Sequence, residues 1–177
     1  QLKIHGNHPK EDLMILNPDQ GETITTHWIS DYFERHGDEI AMVLIGGVNY
    51  YSGQAFDMEA ITKKAHEYNC LVGFDLAHGA GNLHLKLHDW GVDFAAWCGY
   101  KYLNGGPGAP SGVFIHERHL GKSDIPRFEG WWGHDKSTRF QMPDEFVPTA
   151  SVEAWQLSNP PIFSMAPLLA SLELFHE

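Results

Sequence analysis

The chain has 177 residues, 42% of them hydrophobic, enough to bury one sizeable core, which predicts a single domain over residues 1–177. Its formal net charge of -11, with no compensating basic stretch, argues against nucleic acid or a membrane surface as partner. No apolar run approaches a membrane span, no signal-peptide pattern is present, and two cysteines are too few for a disulfide scaffold, so a cytoplasmic protein is expected.

In chain order, Leu13-Met14-Ile15-Leu16 is a short apolar strand candidate, followed by a turn at Asn17-Pro18-Asp19. Trp28, Ile29, Tyr32 and Phe33 then share one helical face, with Thr25 or Thr26 as N-cap and Gly37 placed to end the helix. Residues 41–45 read as a buried strand closed by Gly46-Gly47. Asp57 caps a second helix with Met58, Ile61 and Ala65 inward, ending near Asn69. A strand over 70–74, a short helical turn over 83–87, and strands over 92–97 and 111–115 follow. Cys70 and Cys98 fall in these strands and read as reduced core thiols. Strand and helix alternate, which predicts an α/β fold: a mostly parallel (mixed) sheet flanked by helices in three layers. After Glu117 the pattern weakens into loops rich in Gly, Trp and His up to Pro161, and an apolar helical pattern closes the chain. The chain starts at Gln1 without an initiator Met and stops at Glu177 inside that pattern, so a piece of a longer protein is expected.

The chemistry concentrates where two apolar runs end. The first ends at Asp75, with His78 three residues on. The second runs Phe94-Ala95-Ala96-Trp97-Cys98-Gly99-Tyr100-Lys101 and breaks into a loop with Gly105, Gly106 and Gly108. Acid and lysine thus leave the ends of two strands, where open sheets bind ligands. A lysine able to form a Schiff base and an aspartate able to hold a pyridine nitrogen protonated are what pyridoxal phosphate (PLP) chemistry requires. Opposite charges about 4 Å apart at an effective dielectric near 20 interact by about 4 kcal/mol, roughly three pKa units, which suffices for a pyridinium at neutral pH. Trp97, Cys98, Tyr100, Tyr102 and Leu103 are expected to bury the Lys101 stem, and desolvation favours an amine nucleophile. Tyr100 is available to donate to a phosphate or shuttle a proton, and a core aromatic is nearly as good a reading of its position. The glycine loop matches no phosphate-binding P-loop or dinucleotide fingerprint.

Other residues invite weaker readings. His84 and His88, and His116 and His119, have helical spacings but lack a convincing ligand set, so no metal site is expected. Gly130-Trp131-Trp132-Gly133-His134 places two indoles in a loop, as ligand contacts or as packing. Asn159, in Ser158-Asn159-Pro160-Pro161, is either a cap for the last helix or a ligand contact.

Taken together, these segments resemble the kynureninase family of PLP enzymes, of the aspartate-aminotransferase fold type. The resemblance lies in Val72-Gly73-Phe74-Asp75-Leu76-Ala77-His78, His88-Asp89-Trp90-Gly91-Val92-Asp93-Phe94-Ala95 and Tyr100-Lys101-Tyr102-Leu103-Asn104. Gly130-Trp131-Trp132-Gly133-His134, Ser137-Thr138-Arg139-Phe140 and Ser158-Asn159-Pro160-Pro161 continue it, in order, from about Tyr50 onward. Asp-Leu-Ala-His with Tyr-Lys-Tyr-Leu-Asn is specific in combination; the Asp and Lys alone are shared by many PLP families.

The resemblance implies that Lys101 carries the cofactor as a Schiff base, Asp75 pairs with its pyridine nitrogen and His78 lines it. It also implies that Tyr100, Trp131 and Asn159 contact the phosphate or substrate side, some of them across a homodimer interface. It implies hydrolysis of L-kynurenine, or its 3-hydroxy form, to an anthranilate and L-alanine, with Lys101 moving the α-proton and Tyr100 assisting. A family segment with a phosphate-binding Thr and a ring-stacking Phe would precede Gln1, and a domain with a carboxylate-clamping Arg would follow Glu177. Gly46 stands where some relatives carry a serine. Alternative readings are another PLP enzyme of the fold, a class V aminotransferase or a cysteine desulfurase-like lyase, and an inactive binding remnant.

Overall fold

The computed structural model describes residues 6–17, 23–122 and 124–176. Four strands form one sheet in the order β1 (Met42–Gly46), β2 (Leu71–Asp75), β3 (Phe94–Trp97) and β4 (Gly112–Ile115). β1, β2 and β3 run parallel, while β4 pairs antiparallel with β3. In the register, Gly46 lies beside Asp75 and Asp75 beside Ala96, so the strand ends that carry the acid are level.

Two helices cover one sheet face. In α1 (Thr26–His36), the Thr25 hydroxyl accepts from Trp28 N at 3.1 Å. In α2 (Met58–His66), the Asp57 carboxylate accepts from Ala60 N at 3.0 Å. Each cap satisfies an orphan donor and contributes about 1 kcal/mol. Ile29 and Phe33 of α1 and Met58, Ile61 and Ala65 of α2 are buried together with Val72, Phe74, Leu76, Val92 and Ala95. Strand alternation turns Met42, Leu44, Leu71 and Val113 to the opposite, exposed side.

At the start of β3 sits Asp93, 3% exposed. Its carboxylate accepts from Val72 N at 2.8 Å, from Arg118 Nε at 3.1 Å, and pairs with His66 Nε2 at 3.0 Å and His119 Nε2 at 2.6 Å. Burial pushes this carboxyl upward, but the donors from His66, Arg118, His119 and Val72 outweigh it and hold the group well below the usual carboxylate range. One acid thus ties β2, α2 and the turn after β4 together.

Several expected elements are displaced. Residues 13–16 form no strand, since none among the described residues completes their ladder; they wall a cavity instead. The turn expected at 17–19 falls partly on Pro18 and Asp19, outside the described residues. Residues 83–87 are not helical: the chain turns at 79–83 and again at 87–91, closed by Leu83 N to Gly79 O (2.9 Å) and Val92 N to Leu87 O (3.0 Å). Cys70 and Cys98 flank β2 and β3 rather than lying within them, and Cys98 is only half-buried. Between β4 and α3 (Ile162–Glu173) the described backbone makes only short 3-10 turns. Pro161, not Asn159, occupies the N-cap of α3. No helix among the described residues is long and apolar enough to cross a membrane.

Candidate active site

Asp75 is the last residue of β2. One carboxylate oxygen accepts from Ala77 N at 2.8 Å, an Asx-type turn that fixes the side chain. No other hydrogen bond reaches it among the described residues. The chain then coils through Gly79 N and Ala80 N to Leu76 O, both at 2.9 Å, and Asn82 Nδ2 holds His78 O at 3.0 Å. Gly81 has φ +78, and a Cβ there would meet Tyr102 O at 2.8 Å, so this turn presses directly on the segment carrying the lysine.

Lys101 sits in a tight loop closed by Gly105 N to Gly99 O and Asn104 N to Lys101 O, both at 2.9 Å. Its Nζ lies 3.2 Å from His78 Nε2. The side chain is half-buried, yet Tyr100 and Tyr102 are 53% and 44% exposed and do not enclose it as the sequence predicts. Asp75, His78 and Lys101 line one cavity of about 570 Å³, with residues 13–16 and Ile45 as apolar walls and Asn49 and Tyr50 at its side. That volume suits a small cofactor and substrate. The sequence reading missed Asn49, Tyr50 and the 13–16 wall as lining residues. The signal for the first two was their place just beyond the C-terminal end of β1.

The other candidates lie elsewhere. Tyr100 does not line this cavity; Lys101 Nζ stands 5.7 Å from its ring centre. Trp131 and Asn159 belong to a second assembly. A Cβ on Gly130 would lie 2.3 Å from Leu157 Cα, and one on Gly133 would lie 2.8 Å from Ala154 O. These two glycines therefore let the tryptophan turn lie against 153–157, and Trp132 N donates to Leu157 O at 3.4 Å. Buried His134 pairs its Nε2 with Thr138 Oγ1 at 3.0 Å and accepts from Val147 N at Nδ1 at 3.2 Å. Asn159 is exposed two residues beyond Leu157. Of the six candidates, three converge on one cavity.

The donors in that cavity fit PLP at two of its chemical ends: an amine for its aldehyde carbon and a carboxylate for its pyridine nitrogen. The fold points the same way. It matches a cysteine desulfurase of Escherichia coli with TM-score 0.66 over 84% of this chain and 36% of that one, at 19% identity, a likeness of fold alone. The architecture is that of the fold type I PLP-dependent transferases. Within it the Aminotransferase class-V family pattern matches residues 8–130, and the chain belongs to that family. It is 61% identical to a kynureninase of Myxococcus xanthus (strain DK1622) and 57% identical to one of Koribacter versatilis (strain Ellin345), each over 100% of this chain. The chain spans 42% of the length of these relatives.

Proposed function

We propose that this chain is part of the large, cofactor-binding domain of a kynureninase. The whole protein would hydrolyse L-kynurenine, or its 3-hydroxy form, to the corresponding anthranilate and L-alanine, in tryptophan catabolism and NAD biosynthesis. The observation that carries the reading is the meeting of Asp75, His78 and Lys101 in one cavity, in a chain that is 61% identical to a kynureninase along its whole length.

PLP, the cofactor of these enzymes, supplies when bound an electron sink for charge released at the substrate's α-carbon. Lys101 Nζ would hold it covalently and, once freed by the substrate amine, take the α-proton. The Asp75 carboxylate would hold a proton on the pyridine nitrogen. His78, 3.2 Å from Nζ, orients the lysine. Residues 13–16 give the cavity an apolar wall on one side, against which a substrate ring would pack. Tyr100, Trp131 and Asn159 lie outside the Lys101 cavity and would act on the phosphate or substrate side of a site shared between two copies, a homodimer. Such an enzyme would work in the cytoplasm.

Reduction with borohydride in the presence of PLP, followed by peptide mass spectrometry, tests the reading. Label confined to Lys101, with anthranilate and alanine formed from kynurenine by the whole protein, is expected. Label scattered over exposed lysines, or release of alanine from cysteine instead, overturns it.

A further inference from the structure

We propose that Arg139 is a positioning residue that sets the orientation of the Trp131–Trp132 pair. It rests on the reading above only in taking Trp131 as a ligand contact. Arg139 is 7% exposed, and among the described residues it makes no ion pair. A buried guanidinium without a carboxylate needs another source of stabilisation. Here its Nη2 donates to Trp132 O and to His134 O, the latter at 2.9 Å. Its guanidinium carbon stands 5.1 Å from the Trp131 ring centre and 5.3 Å from that of Trp132. One side chain therefore grips both the backbone of the tryptophan turn and the two indole rings.

The other ring contacts of the indoles are with each other and with Phe140. Trp131 meets Trp132 edge-on at 6.4 Å and 63°, and Phe140 at 5.3 Å and 80°, while Phe140 itself is 81% exposed. Arg139 is thus the buried group common to both rings. Its chain position is fixed in turn, since Arg139 N donates to Asp135 O at 2.9 Å and Asp135 N to Val147 O at 2.7 Å. Capture of an outside anion is disfavoured, because Glu129, Asp144 and Glu145 line the same cleft of about 190 Å³. The guanidinium's task is internal. Its Nη2 alone makes both hydrogen bonds, so what a lysine lacks here is the planar guanidinium beside the two rings.

The test uses near-ultraviolet circular dichroism, because two indoles at this angle and spacing couple and give a shared band. Trp131→Phe and Trp132→Phe each remove that band and so identify it among the six tryptophans of the chain. Arg139→Met is expected to remove the same band with the far-ultraviolet spectrum unchanged, and Arg139→Lys to restore less than half of it. A band that survives Arg139→Met overturns the proposal. Should that variant fail to fold, a full band in Arg139→Lys overturns it equally. In PLP titrations of the same proteins, Arg139→Met and Trp131→Phe should weaken binding alike, by roughly fivefold or more, the scale of one cation–π or hydrogen-bond contact. Weakening by Trp131→Phe alone overturns the positioning role in binding. If Trp131→Phe has no effect, the assignment of Trp131 as a ligand contact is what fails, while the shared band still decides the role of Arg139.

Discussion

Lys101 Nζ and His78 Nε2 meet at 3.2 Å although 23 residues separate them in sequence. The contact exists because β2 and β3 are parallel neighbours whose following loops leave the same end of the sheet. Removing the imidazole should leave the fold intact and the lysine less well placed. His78→Leu is expected to lower borohydride-trapped PLP on Lys101 roughly tenfold, the scale of one lost hydrogen bond. Quantitative peptide mass spectrometry reads it, and undiminished labelling would show that the histidine does not orient the amine.

Gly81 and Gly53 offer a matched pair. Both have positive φ, +78 and +73, but a Cβ on Gly81 meets Tyr102 O at 2.8 Å while one on Gly53 meets nothing within 4 Å. Gly53→Ala should cost about 1 kcal/mol, for strain alone. Gly81→Ala should cost roughly 2–4 kcal/mol, adding a clash with rigid backbone. Urea denaturation of both variants measures the gap; equal losses would mean that the 79–83 turn does not brace the lysine loop.

Asp93 sets an acid limit on stability. Its carboxyl titrates lower in the folded chain than in the unfolded one, with burial opposing and the donors from His66, Arg118, His119 and Val72 prevailing. The stabilisation is therefore complete above the unfolded value of about 3.9 and is lost as pH falls below it, toward the folded value. Asp93→Asn should cost roughly 3–5 kcal/mol at pH 7, where Arg118 and two histidines lose a buried carboxylate. It should also flatten the fall in stability below about pH 4. Denaturant midpoints from pH 7 to pH 3 check both, and parallel curves for the two proteins would count against this assignment.

The two thiols should separate by reactivity. Cys70 is 2% exposed with Sγ 2.8 Å from Ile40 O, and burial, then the nearby Asp38, push its thiol upward. Cys98 is half-buried. Under native conditions Cys98 should react with a disulfide reagent at least about tenfold faster than Cys70. Peptide mapping after brief labelling distinguishes them, and equal labelling would place Cys70 nearer the surface than the packing allows.

Elements with local signals were legible in the sequence. Thr25 and Asp57 cap the helices they are expected to cap, and the four apolar runs from residue 41 to 115 are strands to within two residues. That Asp75, His78 and Lys101 line one cavity was legible because a strand end followed by polar chemistry is a local pattern. Features that depend on distant partners were not legible. The antiparallel β4 looks the same in sequence as a parallel strand, and residues 13–16 are apolar enough for a strand but pair with none among the described residues. Asp93 interrupts an apolar run, which hinted at burial, but its three side-chain partners lie 25 to 27 residues away. His119, weighed as a metal ligand, bonds that acid, while His116 stacks on His88 at 4.9 Å.

Asp75 stands in the sheet between Gly46 and Ala96, a row in which its neighbours carry a hydrogen and a methyl group. Cross-strand partners share a face, so within its own row of the sheet the acid has no bulky side chain beside it. A flat ring lying over that row would meet only a hydrogen and a methyl group on the two sides of the acid. A change as modest as Ala96→Val would act as a doorstop, slowing entry and exit while the core beneath it stayed intact.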